Sequence, residues 1–180
     1  MEEKRAKADV IIPVYRPDER LFRLLERLSR QTRRPRKIII MNTERAHWDN
    51  CGAEARLELL GISELCEIHH LSKREFDHGG TRNAGVSFSD TPYFVMLTQD
   101  AVPADKRLIE NLLAPLESGM AEMSYGRQLA NPDADILEKF TRRYNYGDCS
   151  ILKTEADKEK LGIKTYFASN VCAAYVRARF

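Results

Sequence analysis

Residues 76–83 read FDHGGTRN and bring together residue types that can bind an anion. Gly79 and Gly80 stand at the start of a predicted helix, where backbone N–H groups can approach a phosphate and the helix dipole favours negative charge. Arg82 adds a planar guanidinium that can clamp a phosphate or a carboxylate. Asp77 and His78 can hydrogen-bond a nucleobase, a phosphate or a sugar hydroxyl. An ordinary helix cap in a glycine-rich loop explains the same residues, and the sequence leaves both interpretations open.

Several common catalytic patterns are absent from the sequence. The segment lacks the GxxxxGK[ST] pattern of a P-loop, and no GxGxxG follows the first predicted strand. No GxSxG nucleophile motif occurs, so the sequence does not indicate a hydrolase of that kind.

Asp100 ends the apolar run YFVMLTQD. Because a lone carboxylate is costly to bury, it has to be paired, solvated or bound to a cation. At the end of a strand it can hold Mg²⁺ or Mn²⁺ in a shell completed by substrate phosphates and water. The alternative is that Asp100 caps a turn near Pro103 or faces water.

Three more residues follow apolar runs in the same way. Tyr15 ends the first run, where its ring can stack on a base or plug the core, and Asn42 and Thr43 end the second, where they can contact a base or ribose or make a turn. Ligands of parallel sheets bind beyond the carboxyl ends of the strands. We therefore expect one binding rim that runs from Tyr15 round to Asp100.

The elements that position these residues follow from hydrophobic periodicity. Continuous β-branched runs indicate strands buried on both faces, and leucines at helical spacing indicate the helices between them. This alternation predicts an α/β fold with a mostly parallel sheet, right-handed crossovers and flanking helices. Predicted strands cover residues 8–15, 36–42, 66–71, 93–98 and 120–125. The first predicted helix begins at residues 17–18, and four more cover about 50–61, 79–89, 108–116 and 134–144.

Composition narrows the class of protein. The 180 residues suit a single domain, 1–180, with residues 1–7 expected to be disordered. Lys+Arg 29 against Asp+Glu 27 gives a net charge of +2, which does not favour a nucleic-acid partner. Four scattered cysteines indicate a reducing compartment. No signal-peptide pattern or membrane-length apolar run occurs, so we expect a cytoplasmic protein.

Two smaller signals have ordinary explanations. Residues 30–37 (RQTRRPRK) form a basic cluster, which indicates a solvated turn or, alternatively, attraction to an anionic membrane surface. His69 and His70 have no partner at metal-ligand spacing, so we expect a structural or exposed role for them.

Taken together, the motifs resemble the family 2 glycosyltransferases, which have the Rossmann-like GT-A fold. The matching pieces are VIIPVYRP, KIIIMNT, FDHGGTRNAGVSFSDTPYFVMLTQDAVP and YFASNVCAAYVRARF. FDHGGTRN followed by LTQDA is similar to the rhamnosyltransferase-like branch of that family. The resemblance spans nearly the whole chain, with gaps in its middle.

The resemblance implies a role for each matching residue. It places the nucleoside diphosphate of a dTDP- or UDP-sugar on this rim, with Asp100 in the position of the last Asp of the family's DxD metal motif. The donor-binding residues that it and the rim chemistry imply are Pro13, Tyr15, Asn42, Thr43, Asp77, His78, Gly79, Arg82, Asn83, Gln99 and Asp100.

This sequence departs from the family pattern at two places. Thr98 stands where DxD has its first Asp, which leaves T-Q-D and implies a Mg²⁺ or Mn²⁺ site with a single protein carboxylate. The family's general base belongs to a later acidic motif, which we expect beyond Phe180 in a longer enzyme. Three acidic residues lie downstream of the rim motifs, none in that motif's context: Glu138, Asp148 and Asp157.

The implied activity is inverting transfer of a sugar, with rhamnose favoured, to a glycan or lipid-linked acceptor. A base removes the proton of the acceptor hydroxyl, while the cation, Arg82 and the N–H groups of Gly79 and Gly80 offset charge on the leaving diphosphate. A lipid-linked acceptor would place the enzyme at the inner face of the membrane.

Two other interpretations remain open. T-Q-D and the missing base favour, to a degree, a non-catalytic nucleotide- or glycan-binding module of the same fold. A doubly wound domain of the flavodoxin or response-regulator type needs acidic residues after the first strand, and Tyr15-Arg16-Pro17 supplies none.

Overall fold

The computed structural model describes residues 6–130 and 133–180. The disorder predicted for residues 1–7 falls mainly on residues 1–5, which lie outside the described residues. Ala6 and Lys7 lead into the first strand without regular structure.

A six-stranded sheet forms the centre of the fold, in the order β3-β2-β1-β4-β6-β5. Strands β3, β2, β1 and β4 are parallel, and β6 runs antiparallel to both of its neighbours. The mostly parallel α/β architecture is therefore confirmed. The strands are β1 Ala8–Tyr15, β2 Ile38–Thr43, β3 Cys66–Leu71, β4 Tyr93–Leu97, β5 Met123–Tyr125 and β6 Cys172–Val176.

The five predicted strands are one too few, because β6 enters the sheet between β4 and β5. Its alanines, Ala173 and Ala174, are fully buried, yet small side chains give little hydrophobic signal in a sequence. The predicted strand at 120–125 shrinks to the three residues of β5.

Seven α-helices are present in the described residues, and most lie where the periodicity predicts them. The helix predicted over 50–61 is shorter and covers residues 53–59, after Gly52, whose φ of +64° is left-handed. The helices over residues 45–50 and 158–161 were not predicted. The helices are α1 Glu19–Ser29, α2 Arg45–Asn50, α3 Ala53–Leu59, α4 Gly80–Ser87, α5 Leu108–Glu117, α6 Ile136–Asn145 and α7 Lys158–Leu161.

Helices cover both faces of the sheet. On one face α1, α3 and α5 bury alternate residues of the central strands, such as Val10, Ile12 and Ile40. On the other face α4 packs through Val86 on a smaller cluster that includes Ile11. Because both faces are buried, the central strands are near-continuous apolar runs, interrupted at their ends by polar residues such as Asp9 and Asn42.

The amino end of β1, far from the carboxyl ends, carries an ion pair between a buried carboxylate and an exposed guanidinium. Asp9 is fully buried and accepts two hydrogen bonds from Arg36, at 2.9 and 2.6 Å. The Ser89 hydroxyl donates to the same carboxylate at 2.7 Å, and Arg36 also pairs with Asp90. This network joins β1 to the segments that precede β2 and β4.

Helix α6 packs differently from the others. Its charged side faces the protein, where Arg142 bonds Gln128, and its apolar side chains face outward. Ile136, Phe140 and Tyr144 are 82%, 67% and 62% exposed. Within the described residues, no helix has the length and apolar character that crossing a membrane requires.

Candidate active site

The carboxyl ends of β1 and β2 lie side by side, as the rim prediction requires. Val14 is opposite Asn42, and Tyr15 is opposite Thr43. Strand β4 pairs with β1 as far as Ile11 opposite Met96, and the two strands separate beyond that point. The rim is therefore continuous between β1 and β2 and open between β1 and β4.

Gln99 closes the gap between β1 and β4. Its side-chain amide donates to Tyr15 O at 3.1 Å and accepts from Tyr15 N–H at 2.8 Å. The sequence predicts that Gln99 binds the nucleotide-sugar donor. In the structure both polar atoms of its amide bond the backbone of Tyr15.

The Tyr15 ring lies on the rim and is half-buried. The His47 ring packs edge-on against it, with centroids 5.4 Å apart, and the Arg16 guanidinium lies 5.1 Å from its centre. Arg16 has a φ of +51°, which is uncommon for a residue with a side chain. Strained backbone of this kind often occurs at functional sites.

Asn42 and Thr43 point to opposite faces of the sheet, because side chains alternate along a strand. Asn42 Nδ2 lies 2.9 Å from His70 Nδ1 and 3.4 Å from Glu44 O. Asn42 Oδ1 and Thr43 Oγ1 are both buried and have no hydrogen-bond partner among the described residues. Buried polar atoms of this kind need a water molecule or a ligand.

His70 is a residue of this rim that the sequence did not single out as functional. The parallel register of β2 and β3 places it opposite Asn42, and that register is the signal that could have identified it. Burial, with a smaller contribution from the charge of Arg45, lowers the pKa of His70. A neutral ring with an unprotonated Nδ1 can accept the hydrogen bond from Asn42.

Glu44 has the second left-handed backbone of the rim, with a φ of +68°. Its N–H donates to Leu71 O at 2.8 Å, and its Oε1 accepts from Lys73 N–H at 3.1 Å. These bonds join the start of α2 to the segment after β3. An open cleft of about 340 Å³ lies here, lined by Glu44, Arg45, Ala46, His70, Leu71 and Ser72.

Asp77 caps helix α4. Its Oδ1 accepts from Gly79 N–H at 2.9 Å and from Gly80 N–H at 2.6 Å, and these bonds lower the pKa of Asp77. These bonds form the helix cap that FDHGGTRN allows. A phosphate would have to displace the Asp77 carboxylate to reach these two N–H groups.

Arg82 lies one turn into α4 and is half-buried. Its Nη1 donates to His78 O at 2.6 Å, and its buried Nε has no partner among the described residues. Burial raises the pKa of the Tyr175 phenol on β6, and the positive charge of Arg82 opposes that rise in part. Asn83 and His78 are exposed on the same helix end.

Asp100 is exposed at the end of the β4 segment. Its Oδ1 accepts from the Thr98 hydroxyl at 2.7 Å, and the described residues offer no bond to its Oδ2. They also contain no group of three or more His, Cys, Asp or Glu side chains that could hold a metal ion. One exposed carboxylate with a free oxygen fits a cation whose other ligands come from phosphates and water.

Pro13 lies in β1, two residues before Tyr15 and opposite Met41 of β2. The rim thus brings together Pro13, Tyr15, Thr43, Gln99 and Asp100. Asp77, His78, Gly79, Arg82 and Asn83 form a neighbouring cluster at the start of α4.

The sequence model described as Glycosyl transferase family 2 matches residues 9–180. The chain belongs to glycosyl transferase family 2. It is 36% identical over 175 residues to the O-antigen chain rhamnosyltransferase RfbN of Salmonella typhimurium and 32% identical over 173 residues to WbaN of Salmonella anatum. It covers 54% and 52% of these relatives, so it spans about half of their length.

Solved structures of other glycosyltransferases share the fold. The mannosyltransferase PcManGT from Pyrobaculum calidifontis, solved with GDP-Man and Mn²⁺, aligns over 98% of this chain and 46% of its own, with 13% identity and a TM-score of 0.64. TarS from S. aureus, residues 1–349, aligns over 96% of this chain and 47% of its own, with 14% identity and a TM-score of 0.61. These likenesses establish the GT-A fold predicted for this family 2 chain.

Proposed function

We propose that this chain is the nucleotide-sugar-binding part of a glycosyltransferase. The observation that carries the proposal is the arrangement of the rim: the Tyr15 ring and the Asp100 carboxylate lie on the two sides of the Gln99 bridge. An aromatic ring suits a nucleobase, and a carboxylate with a free oxygen suits a cation bound to a diphosphate. The family membership supports the same assignment.

The proposed donor is a dTDP- or UDP-sugar, and rhamnose is the proposed sugar because two relatives are named O-antigen chain rhamnosyltransferases. The proposed acceptor is a glycan or a lipid-linked glycan, with an inverting reaction. A cytoplasmic site of action, at the inner face of the membrane, is also part of the proposal.

Asp100 would hold a Mg²⁺ or Mn²⁺ ion through its free oxygen, with Thr98 fixing the orientation of the carboxylate. A bound divalent cation would supply positive charge to the leaving diphosphate. Arg82 would add its guanidinium charge from α4, and its unpartnered Nε is a donor available for a phosphate oxygen. Asn42 Oδ1 and Thr43 Oγ1, next to Tyr15 at the end of β2, have no hydrogen-bond partner among the described residues and are candidates for the base or ribose.

We propose that none of the three downstream acids, Glu138, Asp148 and Asp157, is the general base. Glu138 pairs with Arg142 on α6, and Asp148 pairs with Arg127 at 2.7 Å. Asp157 accepts from Thr154 N–H at 2.8 Å in a local capping box. Each carboxylate therefore has a local structural partner, and we propose a base outside residues 1–180.

A titration with UDP, dTDP and GDP, with and without Mn²⁺, tests the proposal. We expect the affinity for one or more of them to rise with Mn²⁺, and Asp100→Ala to remove that rise. Arg82→Ala should weaken binding in both conditions. Asp148→Ala, which removes an exposed carboxylate far along the chain, is the control and should bind normally. A folded protein that binds no nucleotide under any of these conditions would contradict the proposal.

A non-catalytic module is the second candidate, because Thr98 replaces a carboxylate and leaves the cation site with one acidic ligand. It also predicts nucleotide binding, so a different measurement separates the two. Release of nucleoside diphosphate from dTDP-rhamnose or UDP-sugars, in the presence of a rhamnose-accepting glycan, supports the enzyme. Tight binding with no release by a chain that also includes the rest of the protein supports the module.

A further inference from the structure

The hydrogen-bond pattern of β1 explains why its end needs support. Val10 N–H donates to Lys37 O on the β2 side of the strand. Because successive residues of a strand bond to alternate sides, Ile11, Pro13 and Tyr15 direct their backbone groups toward β4. The last paired residue of β1 on that side is Ile11.

Pro13 accounts for the end of this pairing. It has no N–H, so it cannot donate to β4 at the next position of the ladder. The strands separate there, and Tyr15 would be left with an N–H and a carbonyl without partners. Unpaired backbone groups in a half-buried position are costly.

The Gln99 side chain takes the place of the missing strand. Its amide has one donor group and one acceptor, and it bonds both backbone groups of Tyr15, at 3.1 and 2.8 Å. The two bonds connect residues that are 84 positions apart in the chain. They also connect the Tyr15 ring to the Asp100 carboxylate, which follows Gln99 directly.

We propose that Gln99 is a positioning residue, which holds Tyr15 in place for the nucleobase and fixes its distance from the cation ligand Asp100. This inference rests on the proposed function. A carboxylate cannot replace the amide, because it can accept from Tyr15 N–H but has no hydrogen to donate to Tyr15 O. An aliphatic side chain of similar size makes neither bond.

Binding of UDP and of inorganic pyrophosphate, both with Mn²⁺, tests the role. For Gln99→Leu and Gln99→Glu we expect the UDP affinity to fall by about tenfold, as lost hydrogen bonds of ordinary strength would produce. The affinity for pyrophosphate, which has no base, should change by less than about twofold. An equal loss for both ligands would overturn the inference, because it would mean that Gln99 acts on the diphosphate.

A double-mutant cycle with Tyr15→Ala separates positioning from direct contact. If Gln99 acts through Tyr15, adding Gln99→Leu to Tyr15→Ala produces no further loss of UDP affinity. Independent losses that multiply would show instead that Gln99 contacts the nucleotide itself.

Amide hydrogen exchange of Tyr15, measured without ligand, keeps the test independent of nucleotide binding. We expect Tyr15 N–H to be protected in the wild-type chain and to exchange faster in Gln99→Leu, while Ile12 N–H in the same strand stays protected. Unchanged exchange at Tyr15 would refute the bridge. Wild-type protein that binds none of UDP, dTDP and GDP with Mn²⁺, but shows this exchange pattern, would refute the proposed function and leave the bridge intact.

Discussion

Gly85 of α4 lies directly on Ile11 of β1. A methyl group added at Gly85 would be 2.6 Å from Ile11 Cγ2 and 3.2 Å from Met41 Cγ, both of them buried. The absence of a side chain at Gly85 is therefore what lets α4 approach the sheet, and α4 carries Arg82 and the Asp77 cap at its other end.

Gly85→Ala should lower the free energy of unfolding by about 1–3 kcal/mol, the usual cost of overpacking. Ile11 is β-branched and buried, so it cannot move aside easily. Urea unfolding followed by circular dichroism measures the effect. Gly147→Ala is the control, because a methyl group there meets no atom within 4 Å. Equal stabilities of the two variants would contradict the close packing of α4.

Asp9→Ala should be more damaging than most surface changes. It removes the buried carboxylate that bonds Arg36 and Ser89, and losing hydrogen bonds to a charged group costs about 1.5–3 kcal/mol. The matched control is Asp90→Ala, which removes an exposed partner of the same Arg36 and should have a small effect. Thermal unfolding of both variants provides the comparison, and a large loss for the control alone would contradict it.

His70 should make the stability depend on pH just below neutrality. Burial lowers the pKa of His70 in the folded chain, and Arg45 lowers it further, while Asp49 and Glu54 oppose the shift. As the pH falls through about 6.5, the unfolded chain binds a proton that the folded chain does not, so the free energy of unfolding decreases. Below the pKa of His70 in the folded chain, both states bind the proton, and the free energy of unfolding decreases no further on this account.

Urea unfolding between about pH 7.5 and pH 6 measures this effect. We expect His70→Gln to show a smaller decrease than the wild type, whatever its stability at the higher pH. His78→Gln changes an exposed ring and should keep the wild-type dependence. The same slope in all three proteins would contradict a half-buried His70 whose pKa is lowered in the folded chain.

Alkylation should distinguish Cys149 from the other cysteines. Burial raises the pKa of the Cys66 thiol to about 12 and that of Cys172 to about 11, and it also raises the pKa of Cys51. Because the thiolate is the reactive form, iodoacetamide should modify the exposed Cys149 first in the folded protein. Mass spectrometry of digests identifies the site, and early modification of Cys66 would contradict its burial.

The sequence predicted the parallel strands well, because β-branched runs have a clear signal. It missed β6 because Ala173 and Ala174 are small, although both are fully buried. It missed α2 because that helix has six residues and buries only Trp48, which is too little to produce a helical periodicity.

For the candidate site, the sequence predicted which residue types stand at the strand ends, but it did not predict the contacts between them. The rim from Tyr15 to Asp100 follows from the rule that strand ends share one edge. The use of the Gly79 N–H by Asp77 depends on local backbone geometry, which the residue types leave open. The bond between Gln99 and Tyr15 depends on where the β1–β4 ladder ends, and no local pattern contains that information.

The placement of β6 has a consequence for the order of folding. Strand β5 reaches the sheet only through β6, and residues 126–171 separate the two strands along the chain. Strands β1, β2, β3 and β4 are all complete at Leu97, whereas β5 has no partner in the sheet until β6 has been synthesised. We therefore expect the four parallel strands to assemble during synthesis, with β5 joining only after residues 172–176 have left the ribosome.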